Sequence, residues 1–82
     1  MKTTTIRDAW YEVWAKGGGC KLADPTDRFR SHREAQKAIK ESREKASSLG
    51  YAPTDWQIMI VDWIAIRDDD GIISQTETIA RA

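Results

Sequence analysis

One cysteine and one histidine are all the thiol and imidazole chemistry in this chain of 82 residues. Cys20 alone closes no internal disulfide, which points to a reducing compartment. A single thiol with a single imidazole gives no zinc-ligand spacing either. Net charge is missing as well. Thirteen basic and thirteen acidic side chains cancel, so no global field draws the molecule to nucleic acid or to a membrane. No apolar run approaches the roughly 20 residues needed to span a bilayer, and no membrane partner is expected. Lys2 and the threonines behind it are followed by no apolar stretch, so no secretory signal is expected and the cytoplasm is the expected location. Nothing repeats, and no segment is low in complexity.

What remains is an ordinary globular composition. Hydrophobic residues at 40% and charged residues at 32% exclude a disordered chain. The length allows one domain over residues 1–82. A domain this short hides only about 60% of the surface its unfolded chain exposes, so its core must be small.

Ala9-Trp10-Tyr11-Glu12-Val13-Trp14-Ala15 is rich in aromatic and β-branched residues and ends at three glycines, Gly17 to Gly19. That pattern predicts a strand. Trp10, Glu12 and Trp14 point one way; Tyr11, Val13 and Ala15 point the other. Cys20-Lys21-Leu22-Ala23 reads as a short return strand, with the glycines as hairpin loop and Asp24-Pro25 as the break.

Ser31-His32-Arg33-Glu34 fits a capping box, in which the serine hydroxyl accepts from the Glu34 amide and the glutamate reaches back to the serine amide. Behind it Ala35, Ala38, Ile39, Ser42, Ala46 and Leu49 recur at helical spacing, in a stripe roughly 100° wide. Gly50 suits the position just past a helix end. A helix from about residue 32 to 49 follows. Its core stripe is small, so the large core side chains must come from the sheet. Its other face carries Arg33, Lys37, Lys40 and Glu44, with Lys37–Glu41, Lys40–Glu44 and Glu41–Lys45 as i,i+4 pairs of about 0.2–0.5 kcal/mol each.

Residues 56 to 66, with five isoleucines or valines, predict a long strand. Asp68-Asp69-Asp70-Gly71 predicts a turn with Asp-Gly as the hairpin pair. Residues 72 to 79 predict a last strand whose polar alternation suits an edge. The expected fold is α+β: a four-stranded antiparallel sheet in the order β-β-α-β-β, with one helix on one face.

One helix covers one face, yet the long strand is apolar on both: Ile58 and Ile60 one way, Met59 and Val61 the other. An antiparallel sheet with a wet back alternates apolar and polar residues. The back therefore meets either a second copy, giving a homodimer through the uncovered sheet face, or another protein. The alternative is that the N-terminal and Gly-rich segments fold over it. Trp10, Trp14, Trp56 and Trp63 are many indoles for so short a chain, and any left on an uncovered face would serve as interface anchors.

No catalytic constellation emerges. Cys20 reads as a small hydrophobe in a short strand, and His32 as a solvated residue of the first helical turn. Asp68-Asp69-Asp70-Gly71 lacks the alternation and the bidentate glutamate of a calcium loop. Gly17-Gly18-Gly19-Cys20-Lys21 lacks the phosphate-loop frame. An enzyme is not expected, nor a cofactor or metal.

Charge is segregated even though it cancels. Residues 1–45 hold 11 basic and 7 acidic side chains, and residues 46–82 hold 2 and 6. The basic excess gathers in Arg28-Phe29-Arg30-Ser31-His32-Arg33 and continues through Lys37 and Lys40. It is either a solvated helix face or a patch for an anionic partner, whether RNA, DNA or an acidic protein surface. Phe29 reads as the anchor that docks the helix start. The candidate partner-contacting residues are thus Trp10, Trp14, Arg28, Arg30, Arg33, Lys37 and Lys40.

The layout resembles that of small accessory proteins of bacteriophages and prophages. The Tyr11-Glu12-Val13 strand, the Arg28-Phe29-Arg30-Ser31 helix start followed by Glu34-Ala35, and a hydrophobic closing hairpin carry the likeness, which spans most of the chain. Such proteins include anti-CRISPR inhibitors. The resemblance implies a non-enzymatic protein that acts in the host cytoplasm by covering a surface on a bacterial protein or ribonucleoprotein complex. The alternative function is a small nucleic-acid-binding regulator that uses the basic helix face.

Overall fold

The computed structural model describes residues 2–23 and 26–82. Asp24-Pro25, expected to break a strand, lies outside them. Strand β1 (Thr4–Ala15), helix α1 (His32–Ser48), strand β2 (Trp56–Asp68) and strand β3 (Gly71–Arg81) follow in that order. The strands form one antiparallel sheet, β1-β2-β3.

The fold is therefore β-α-β-β with three strands, not the expected β-β-α-β-β with four. Cys20–Ala23 is the strand that fails to form. The glycines do reverse the chain, with Gly18 and Gly19 at φ +76° and +88°. The Ala15 amide donates to the Cys20 carbonyl at 3.0 Å, and the Leu22 amide to the Val13 carbonyl at 2.8 Å. Only one bridge results, Trp14 to Lys21. Four residues before Asp24 are too few for a ladder, since strands typically run about 5–6 residues. Phe29 takes up the edge of β1 further along, exchanging both backbone hydrogen bonds with Tyr11 at 2.7 and 2.8 Å.

β1 also starts earlier than its aromatic run. Thr4 pairs with Arg67 and Ala15 with Trp56, so the polar residues before Ala9 ride along the full length of β2. The closing hairpin turns at Asp69-Asp70, where the Asp70 amide donates to Asp68 Oδ1 at 2.8 Å. Neither aspartate has positive φ; Gly71 does, at +128°. The glycine thus follows the turn centre instead of forming half of it. One residue is inserted in β3 where the register shifts: Ile66 faces Ser74 but Arg67 faces Ile72, leaving Ile73 as a bulge.

The helix is capped at both ends as its sequence requires. Ser31 Oγ accepts from the Glu34 amide at 3.1 Å. Glu34 Oε2 reaches one residue further than expected, accepting from the Arg30 amide at 3.1 Å. At the C-terminus the Gly50 amide donates to the Ser47 carbonyl and the Tyr51 amide to the Ala46 carbonyl, at 3.1 and 2.9 Å. With Gly50 at φ +79°, these two bonds make a Schellman motif.

The core on the helix side joins Val13, Phe29 and Ala35, with Tyr11, Leu22, Ala38, Ile39, Trp56 and Ile58 packed around them. Phe29 is the docking anchor expected from sequence. The stripe of α1 is buried only at Ala35; Ala38, Ile39, Ser42 and Ala46 are half-buried. Leu49, expected in the core, is exposed because the helix end lies beyond the sheet residues that α1 packs on.

The molecule measures 58 × 21 × 19 Å with a radius of gyration of 16.2 Å. A compact chain of this length has a radius near ~12 Å. Its accessible surface is 6098 Å², where a compact protein of this mass shows about 5,000 Å². The excess comes from the outer half of the sheet, which α1 does not reach.

Replacing the cap, Ser31→Ala, leaves the Glu34 amide without its acceptor. Unfolding in urea should show a loss of about 1 kcal/mol with an unchanged m-value; no measurable loss would mean that the box does not hold the helix start.

Candidate functional site

The seven candidate residues separate into three groups. Trp10, Trp14 and Arg28 gather on the sheet face opposite α1. Arg30 sits at the helix start. Arg33, Lys37 and Lys40 lie exposed on α1.

The first group is a closed unit. Glu12 stands between the two indoles and accepts from both, Trp10 Nε1 at 2.9 Å and Trp14 Nε1 at 3.0 Å. The alternation of β1 puts all three on one face, two residues apart, which is why one carboxylate serves two rings. Each ring carries a cation. Arg28 Cζ lies 4.2 Å from the Trp10 ring centre, and Lys21 Nζ lies 5.5 Å from that of Trp14. Lys21 also reaches Glu12 at 3.7 Å and Asp27 at 3.2 Å. Trp10 is only 3% exposed and Glu12 is buried. Part of the back face is thus covered by Lys21 and Arg28 of the connection between β1 and α1, not by the N-terminal and Gly-rich segments weighed from sequence: the chain from Thr4 on pairs within the sheet. Trp10 presents no ring to a partner.

Arg30 is likewise engaged, donating from Nη1 to Asp8 Oδ1 at 3.0 Å and to the Ala9 carbonyl at 3.4 Å. The hydrogen bond from the Ala9 amide, then that from Arg30, hold the Asp8 carboxyl below its usual 3.8. Lys21 does the same for Asp27. Lys37 pairs with Glu41 at 4.0 Å. Among the described residues, Arg33 and Lys40 make no ion pair.

Cys20 is exposed, not the small core hydrophobe expected. His32 is exposed too, its ring edge-on to Tyr11 with centres 5.9 Å apart. No group of three His, Cys, Asp or Glu side chains converges among the described residues, and no helix is long and apolar enough to cross a membrane. An open groove of about 350 Å³ runs between α1 and the sheet, floored by Trp56 and Ile58 and rimmed by Lys16, His32, Gln36 and Arg81.

Besides Leu49 and Tyr51 at the helix end, the exposed large apolar side chains are isoleucines that sequence reasoning did not single out. Ile64 and Ile66 sit on the helix side of β2 beyond the reach of α1. Ile72 and Ile73, 54% and 59% exposed, mark the hairpin tip, and Ile79 lies further along β3. A length comparison finds this surface: a 17-residue helix spans about 26 Å, whereas a 13-residue strand spans about 43 Å.

Two measurements check this site. Glu12→Ala leaves the buried Trp10 N–H without a partner and should destabilise by about 1–3 kcal/mol, read from tryptophan fluorescence during urea unfolding; a neutral change would remove Glu12 as the clamp. The lowered carboxyls favour the folded state above pH 3.8 and lose that contribution as pH falls through their folded values. An NMR acid titration should place the Asp8 midpoint below 3.8, and Arg30→Ala should raise it only part-way, because the Ala9 amide bond remains. No family model matches the chain, and no curated protein or solved structure matches it either.

Proposed function

We propose that the chain is a small non-enzymatic binding protein of the host-defence-inhibitor kind, which acts in the bacterial cytoplasm by seating its β-arm, the part of the sheet beyond α1 that carries Ile64 and Ile66, on a host protein or ribonucleoprotein complex. One observation carries this proposal: Ile64 and Ile66, 38% and 37% exposed, stand on the arm beyond the reach of α1. A small domain that leaves branched apolar residues bare along an extended arm lowers its free energy when a partner covers them. The Trp10–Glu12–Trp14 unit has the role of scaffold here. It stiffens the root of the arm and does not face the partner.

The alternative, nucleic-acid binding by the basic segment, has less support. Arg28 is stacked on Trp10, Arg30 is held by Asp8 and Lys37 is paired with Glu41. Arg33 and Lys40 alone are a thin footing for phosphate contacts, which normally number several.

The test is a pull-down from nuclease-treated bacterial lysate at 50 and 200 mM salt, with wild type beside Ile64→Asp/Ile66→Asp and Arg33→Glu/Lys40→Glu. A discrete protein partner that persists at both salts, disappears with the isoleucine pair and survives the charge pair is the expected result. The loss should reach ~30-fold in affinity, since hot-spot truncations cost about 2 kcal/mol. Recovery only at low salt or only before nuclease treatment, abolished by the charge pair, would overturn the proposal in favour of nucleic acid.

A further inference from the structure

The outer edge of β3 is unblocked. All eleven residues of the strand are exposed, and among the described residues no backbone group outside the sheet bonds to it. The edge of β1 differs, being occupied at Tyr11 by Phe29 and near Ala15 by Cys20 and Leu22. Natural proteins blunt long edges with lysine, proline or inward charges. β3 has no lysine and no proline, and its only charges are Glu77 and Arg81.

Its sequence is also nearly symmetric. Around Thr76, Ile72-Ile73-Ser74-Gln75-Thr76-Glu77-Thr78-Ile79-Ala80 reads much the same in both directions. An antiparallel pairing of this strand with a second copy, two-fold at Thr76, sets Gln75 opposite Glu77 and Ser74 opposite Thr78, and brings Ile79 to the Ile73 bulge of the other copy. Branched apolar and hydroxyl cross-strand pairs are stabilising ones. Past the bulge, Arg81 comes to the end of the other copy's β3 that holds the acidic turn of Asp69 and Asp70. Centring the pairing on Glu77 would instead set like charges directly opposite.

We infer that the chain is a homodimer in which the two β3 strands pair antiparallel about Thr76, making one continuous six-stranded sheet. This two-fold contact is closed, so it consumes the β3 edge of both copies and leaves no β3 edge for a third. It uses the strand edge and not the arm's face, so it stands independently of the binding role proposed above.

Sedimentation equilibrium at micromolar concentrations should give twice the 9.3 kDa chain mass. A cysteine scan in a Cys20→Ser background reads the register. Opposed Cα atoms in an antiparallel pair lie about 4.5–5.5 Å apart, within disulfide reach. Thr76→Cys should therefore cross-link to itself under mild oxidation. Ser74→Cys or Thr78→Cys alone should not, because each lies four residues from its own copy, about 13 Å away; the two together in one chain should. Ser74→Lys/Thr78→Lys sets lysines opposite one another and should weaken the dimer by about tenfold or more, with an unchanged circular dichroism spectrum. A monomer at ~100 μM, an open-ended polymer, or a dimer whose Thr76→Cys form does not cross-link would each overturn the inference.

Discussion

The mismatch in length between one helix and three long strands governs this structure. α1 has 17 residues and rises 1.5 Å with each, whereas β2 has 13 and rises more than twice as far per residue. The helix therefore covers only one end of the sheet. Where it lies, a core forms around Val13, Phe29 and Ala35. Beyond it the same ladder continues with nothing packed on its helix side. The elongated shape, the excess surface and the bare isoleucines follow from that difference together with the placement of α1, whose C-terminal end runs past the residues it packs on and leaves Leu49 and Tyr51 exposed.

The back of the sheet solves its burial problem differently. With no second helix among the described residues, β1 supplies its own cover: two indoles bridged by one carboxylate, each capped by a cation from the connecting segment. The stacked cations exclude water from the rings while keeping their own heads solvated. A single glutamate satisfies both indole N–H groups, so burying Trp10 leaves no unpartnered donor. This arrangement also changes the meaning of the basic segment. Two of its cations are spent on fixing the connection to the sheet, Arg28 on Trp10 and Arg30 on Asp8.

Locally determined features were legible in the sequence. The Ser31 cap, the Schellman motif at Gly50, the helix between them, the long isoleucine-rich strand and the acidic turn each depend on neighbours a few residues apart. Phe29 was legible as the helix anchor because it lies two residues before the cap. Cys20–Ala23 went the other way. Its glycine loop and apolar content suggest a strand, but a ladder needs length as well as a turn, and Phe29 takes the rest of that edge.

The candidate site divides along the same line. Alternation along β1 already places Trp10, Glu12 and Trp14 on one face, because side chains in a strand alternate whatever the fold. That face does not by itself say whether the rings meet solvent, a partner or the chain's own cations. Arg28 is 18 positions from Trp10 in the chain, and only the path of the connection brings it over the ring. The sequence by itself determined the helix, its caps, the isoleucine-rich strand and which residues share a face, since these depend on bonds and contacts between near neighbours. Tertiary structure alone decided how many strands pair, which tryptophans are covered and how far the helix reaches, since those depend on where distant segments come to rest.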